Sequence, residues 1–119
     1  MQYMLLIYGA EDAAPSPESP EGQAEFGAWM DYDRRLRESG RFVAGAPLQG
    51  TQTATTVRVR DGEDVVTDGP FAETKEVLVG YYLVDVAHLD DALKWARQMP
   101  NISYGSVEVR PIMEIPVEA

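Results

Sequence analysis

The sequence predicts an α+β protein of the ferredoxin-like type, a four-stranded antiparallel sheet with two helices on one face and an inserted β-hairpin. Three observations predict it. Strand-like and helix-like segments follow one another as β-α-β, hairpin, β-α-β, which is two split βαβ halves. The runs over residues 3–8 and 76–86 are apolar on both faces, as central strands are. The last strand alternates, Val107 and Val109 against Glu108 and Arg110, as an edge strand does.

Each element has its own local reason. Residues 3–8 are Tyr-Met-Leu-Leu-Ile-Tyr, ended by Gly9; that length, with Tyr and Ile in it, reads as a strand buried on both faces. Residues 10–20 carry Pro15, Pro17 and Pro20 among Glu, Asp and Ser and form an exposed loop. Ser19 is a good N-cap, Pro20 suits the first helical position and Glu21 complements the dipole, so a helix starts there. At about 100° per residue, Phe26, Trp29, Met30 and Leu36 share its apolar face, with Tyr32 at the edge. Ser39-Gly40 ends it. Residues 41–45 make the second strand, closed by Pro47.

Residues 55–60 and 63–67 flank Asp61-Gly62, a hairpin signal because both central residues of a type I′ turn need positive φ. Asp68-Gly69-Pro70 breaks the chain before the long strand over 76–86. A second helix runs over 88–99 and buries Leu89, Ala92, Leu93 and Ala96 until Pro100 stops it. Residues 107–115 supply the last strand.

A chain of 119 residues suits a single domain, residues 1–119, whose core needs no disulfide or metal as a staple. Lys and Arg total 10 against 20 Asp and Glu, so the net charge is 10 − 20 = −10. That charge repels phosphate backbones and anionic lipid and excludes nucleic-acid and membrane-surface partners. The apolar run over 3–8 is too short for a secretory signal and has no basic residue before it, so a cytoplasmic location is expected. Two helices cover only one face of a sheet. A second copy of the chain is the economical cover for the other, which predicts a homodimer formed sheet face to sheet face.

The most informative stretch is Asp68-Gly69-Pro70-Phe71-Ala72-Glu73-Thr74-Lys75-Glu76. Physically it is a rigid crossover: Asp holds a turn, Gly takes unusual φ, Pro fixes the next residue, and Phe71 is expected to drive back toward the core. The same nine residues resemble the signature of the DGPF proteins, a branch of the YCII-related family. The resemblance extends to residues 4–7 (Met-Leu-Leu-Ile), 54–58 (Ala-Thr-Thr-Val-Arg) and 105–111 (Gly-Ser-Val-Glu-Val-Arg-Pro), nearly the whole chain in order. It implies a dimeric α/β-barrel type of ferredoxin-like fold and no settled reaction. It also implies an association with extracytoplasmic-function sigma factors, beside which such proteins are encoded. Members of the wider family resemble small enzymes with a His–Asp pair in the cleft, the His on the first helix. Here that place holds Trp29, and the one histidine, His88, stands at the start of the second helix.

Two carboxylates are the catalytic candidates. Asp33 lies three residues after Met30 and seven after Phe26, near the middle of the apolar face. There it is either a desolvated acid–base group or a solvated partner of Arg37 at i+4. Asp68 either points into the cleft or caps its own turn. Gly69, Pro70 and Phe71, with Lys75 and Tyr81, are the ligand-binding candidates. Lys75 is either an anion anchor or a surface partner of Glu73 and Glu76. Tyr81 and Tyr82 fall on opposite faces of their strand. No cofactor is expected, and one His with no Cys excludes the usual zinc sets. Two functions follow: a dimeric binding or regulatory module for a small molecule or a sigma factor, or a small cofactor-independent enzyme working by carboxylate acid–base chemistry in the cleft lined by the DGPF segment.

Overall fold

The computed structural model describes residues 1–116. In chain order it contains β1 (Gln2–Gly9), α1 (Pro20–Glu38), β2 (Phe42–Pro47), a 3₁₀ turn (Thr51–Thr53), β3 (Thr55–Arg60), β4 (Glu63–Asp68), β5 (Val77–Asp85), α2 (Leu89–Arg97) and β6 (Ser106–Pro111). The main sheet is antiparallel with order β2-β5-β1-β6, and β3-β4 form a separate two-stranded ribbon. This is the ferredoxin-like arrangement, with β1 and β5 central. Pairing of β6 with β1 runs from Ser106 opposite Tyr8 to Pro111 opposite Tyr3. β1 begins at Gln2, so β6 ends at Pro111 rather than Ile115 for want of a partner.

Both helices pack on one face, over Tyr3, Leu5, Ile7 and Val84. On the other face Met4, Leu6 and Tyr8 are only half-buried, so β1 is covered on one face rather than two. Burial of Leu5, Leu36, Val84 and Met99 contributes about 1.5–3 kcal/mol each.

α1 starts at the expected cap: the Ser19 hydroxyl accepts from the Gly22 N–H at 3.0 Å. Gly22 is needed there, because a Cβ would lie 1.8 Å from the Ser16 carbonyl oxygen. The phase of the helix differs from the expected one. Tyr32 and Leu36 are fully buried, whereas Phe26 is 68% and Met30 56% exposed. The inward stripe runs 22, 25, 29, 32, 36, and Gly22 and Glu25 within it conceal it from an apolar count. Tyr32 is central because its hydroxyl has a partner, donating to the Trp95 carbonyl of α2 at 2.9 Å.

α2 begins at Leu89 with His88 as N-cap, and the Asp91 carboxylate accepts from the His88 N–H at 3.3 Å. Ala92, Ala96 and, just beyond the helix, Met99 are buried; Leu89 is 47% exposed, since the first turn overhangs the core.

The ribbon turns at Asp61 (φ 53°) and Gly62 (φ 79°), as a type I′ turn requires. The crossover that follows is held by the ribbon. The Gly69 N–H donates to the Ala54 carbonyl at 2.7 Å, the Thr56 hydroxyl to the Gly69 carbonyl at 2.8 Å, and Arg58 Nη2 to the Phe71 carbonyl at 2.8 Å. These anchors hold backbone and leave the side chain free, so Phe71 is 77% exposed and does not return to the core.

Candidate functional site

Two cavities among the described residues bear on function. The larger, about 680 Å³, sits between α1 and the β2–β5 side of the sheet and is closed at one end by the loop over residues 10–17. The second, about 580 Å³, is a groove at the base of the ribbon, walled by Pro70, Phe71, Thr74 and Leu78. They share Leu48 and Gly50 as a common border. Hydrogen-bonded titratable side chains converge on the first, with apolar walls between them, which is the build of a small-molecule site.

Asp33 reaches this cleft from α1. Its Oδ1 accepts from the Tyr82 hydroxyl at 2.8 Å, and its Oδ2 accepts from Arg37 Nε at 2.7 Å. The side chain is 28% exposed, so the carboxylate is both partly desolvated and paired. The Arg37 guanidinium lies 3.9 Å from the centroid of the Phe42 ring, which fixes its aim. Tyr82 gets its place from Gly45 on β2: a Cβ there would stand 2.6 Å from Tyr82 Cδ1. Burial, and then the Asp33 carboxylate beside it, push the Tyr82 phenol well above its usual value.

Glu25 is two helical turns before Asp33, with Trp29 between them. Both its oxygens accept from the Tyr104 hydroxyl, at 2.6 and 2.7 Å. Burial, and then Glu25, raise the Tyr104 phenol as well. Tyr104 belongs to a turn built on Asn101, whose carbonyl accepts from the N–H groups of Tyr104 and Gly105. Asn101 Nδ2 donates to the Tyr8 carbonyl at 3.2 Å, while its Oδ1 has no partner among the described residues. At the cleft's far end the Glu11 carboxylate accepts from the N–H and hydroxyl of Thr51, tying the loop to the 3₁₀ turn.

The sequence-based candidates separate. Asp33 is in the α1 cleft. Asp68 is exposed at the end of β4, opposite Thr55, and walls neither cavity. Gly69 takes φ 105° in the crossover, and Pro70 and Phe71 wall the ribbon groove instead of the cleft that holds Asp33. Lys75 is exposed and borders neither cavity, and among the described residues it lies within 4.0 Å of no carboxylate. Tyr81 pairs with Leu6 on the open sheet face and also borders the cleft; Tyr82 faces the helices. Reasoning from sequence missed Glu25, Asn101 and Tyr104. Glu25 carried a signal, an i, i+4, i+8 series with Trp29 and Asp33; Asn101 and Tyr104 carried none, because their partners are 93 and 79 residues away.

Comparison with known proteins gives a family and a fold likeness. The profile of the YCII-related domain matches residues 1–116. An uncharacterised protein of Rhizobium meliloti (strain 1021) is 41% identical over 114 residues, covering 94% of this chain and 92% of that protein. A solved structure of the 5-chloro-2-hydroxyhydroquinone dehydrochlorinase of Burkholderia phenoliruptrix AC1100, in complex with 2,5-dihydroxybenzoquinone, superposes with a TM-score of 0.53 at 10% identity. It covers 95% of this chain and 94% of that one. At that identity the likeness is one of fold.

Proposed function

The chain belongs to the YCII-related domain family, and from that premise we propose that it is a small-molecule-binding protein whose ligand occupies the cleft between α1 and the sheet. One observation carries this reading: the Asp33–Tyr82 and Glu25–Tyr104 pairs, with Trp29 between them, converge on one cavity of about 680 Å³. Native mass spectra of gently purified protein test it. The expected result is an added small-molecule mass that Trp29→Ala removes. A clean spectrum, together with no stabilisation by any member of a metabolite library, overturns it.

A second reading is favoured by the Asp33–Tyr82 contact. A carboxylate accepting a hydrogen bond from a phenol at a cleft wall supplies the parts of a cofactor-independent acid–base enzyme, with Asp33 as base and Tyr82 steadying developing negative charge. Turnover abolished by Asp33→Asn, with binding retained, separates it from a pure binding module.

The nine-residue segment 68–76 supports placing the chain in the DGPF branch, and with it a regulatory partnership with an extracytoplasmic-function sigma factor in the cytoplasm. Pull-down of a purified sigma factor by the tagged protein tests that partnership. The half-buried apolar side chains of the open sheet face support one domain of 119 residues acting as a homodimer through that face.

A further inference from the structure

We infer that the α1 cleft takes a cation: a small protonated amine with an apolar or aromatic body. The inference rests on the reading of this cleft as the ligand site and names the class of ligand.

Charge is the first argument. Glu11, Glu25 and Asp33 line the cleft, and among the described residues no Lys, Arg or His does. Asp33 is balanced by Arg37 from outside the wall. Among the described residues Glu11 and Glu25 form no ion pair; their partners are the neutral Thr51 and the Tyr104 hydroxyl. A half-buried carboxylate held only by a phenol has attraction left for a cation, and an anion beside it meets repulsion in a medium that screens poorly.

Asn101 is a second and independent argument. It is 4% exposed, it lines the cleft, and its amide nitrogen is committed to the Tyr8 carbonyl, while Oδ1 is a buried acceptor with no partner among the described residues. Glu11, Glu25 and the Asn101 amide oxygen thus put acceptors on the wall, and an ammonium group offers three donors and no acceptor. Trp29, Phe26 and Met30 supply apolar surface for the body of the ligand, and the Trp29 ring favours a cation over its face.

Three isosteric probes test this by calorimetry on the full chain: phenethylamine, phenethyl alcohol and phenylacetate. The amine is expected to bind about tenfold tighter than the alcohol, the acid weakest, with the preference shrinking in added salt. Glu25→Gln keeps an acceptor for Tyr104 and should remove about a tenfold preference while leaving the alcohol unaffected. Tyr104→Phe leaves the charge in place and should preserve the preference, which a merely structural role for Glu25 would not do. Equal binding of the three, or tighter binding of the acid, overturns the inference and leaves the cleft reading standing. Binding of none overturns the inference; with clean native spectra it overturns the cleft reading too.

Discussion

A carboxylate on a helix face shared with Phe26, Trp29 and Met30 needs partners for both oxygens, and Asp33 has them in Arg37 and Tyr82. Removing the phenol hydroxyl in Tyr82→Phe should cost about 1 kcal/mol in urea denaturation, the usual worth of a hydrogen bond. Tyr82 shares a second property with Tyr32 and Tyr104. All three hold their protons above the ordinary phenol value of about 10, Tyr32 chiefly through burial and the others through burial and then a carboxylate. Above about pH 10 the unfolded chain releases protons that the folded chain retains. The folded state then binds more protons, so stability falls as pH rises through that range and is unaffected by these groups below it. Absorbance of phenolate should therefore show Tyr32, Tyr82 and Tyr104 ionising late and together with unfolding. Normal titration of these three in the folded protein would contradict the burial described. For Asp33 the sequence left two alternatives, a desolvated group or a partner of Arg37 at i+4, and the side chain is at once part-buried and paired with Arg37. The role of Tyr82 was not legible, since it depends on Gly45 of another strand making room for the ring.

Elements whose signals are local were the legible ones. Ser19-Pro20 and Asp61-Gly62 each specify a backbone geometry within a few residues, and the helix start and the hairpin turn stand where those signals put them. The phase of α1 was not legible, because Gly22 and Glu25 occupy inward positions whose partners, Ser16 and Tyr104, come from other segments. The direction of Phe71 was not legible either. It follows from Thr56 and Arg58 holding the crossover by its carbonyls, a contact between two of the segments that carry the family resemblance. The ribbon rests on its own turn, since it pairs with no strand of the main sheet. Gly62→Ala, at φ 79°, should destabilise it by about 1 kcal/mol. Hydrogen exchange should quicken across β3 and β4 while β1 and β5 keep their protection. Uniform quickening across the main sheet would show that the ribbon folds with the core as one unit.

The whole molecule is more spread than its length requires. Its radius of gyration is 16.7 Å, against about 13.5 Å for a compact chain of this size. It extends 49 × 47 × 20 Å, with the ribbon's Val57, Val59 and Val66 and the crossover's Phe71 exposed. A thin slab with an apolar open face and a projecting apolar ribbon suits the proposed homodimer. In that dimer two chains of −10 would bring together 2 × −10 = −20, so charge would oppose it and apolar burial would have to drive it. Two consequences follow from that balance. Sedimentation equilibrium at micromolar concentration should give twice 13.2 kDa, and added salt should tighten the association by screening the repulsion. Leu6→Lys places a charge at the centre of the open face, between Tyr81 and Glu108 on the neighbouring strands, and should leave a folded monomer. A wild-type species of 13.2 kDa, unchanged by salt, would mean that the open face is stable in water and that the cleft works within a single chain.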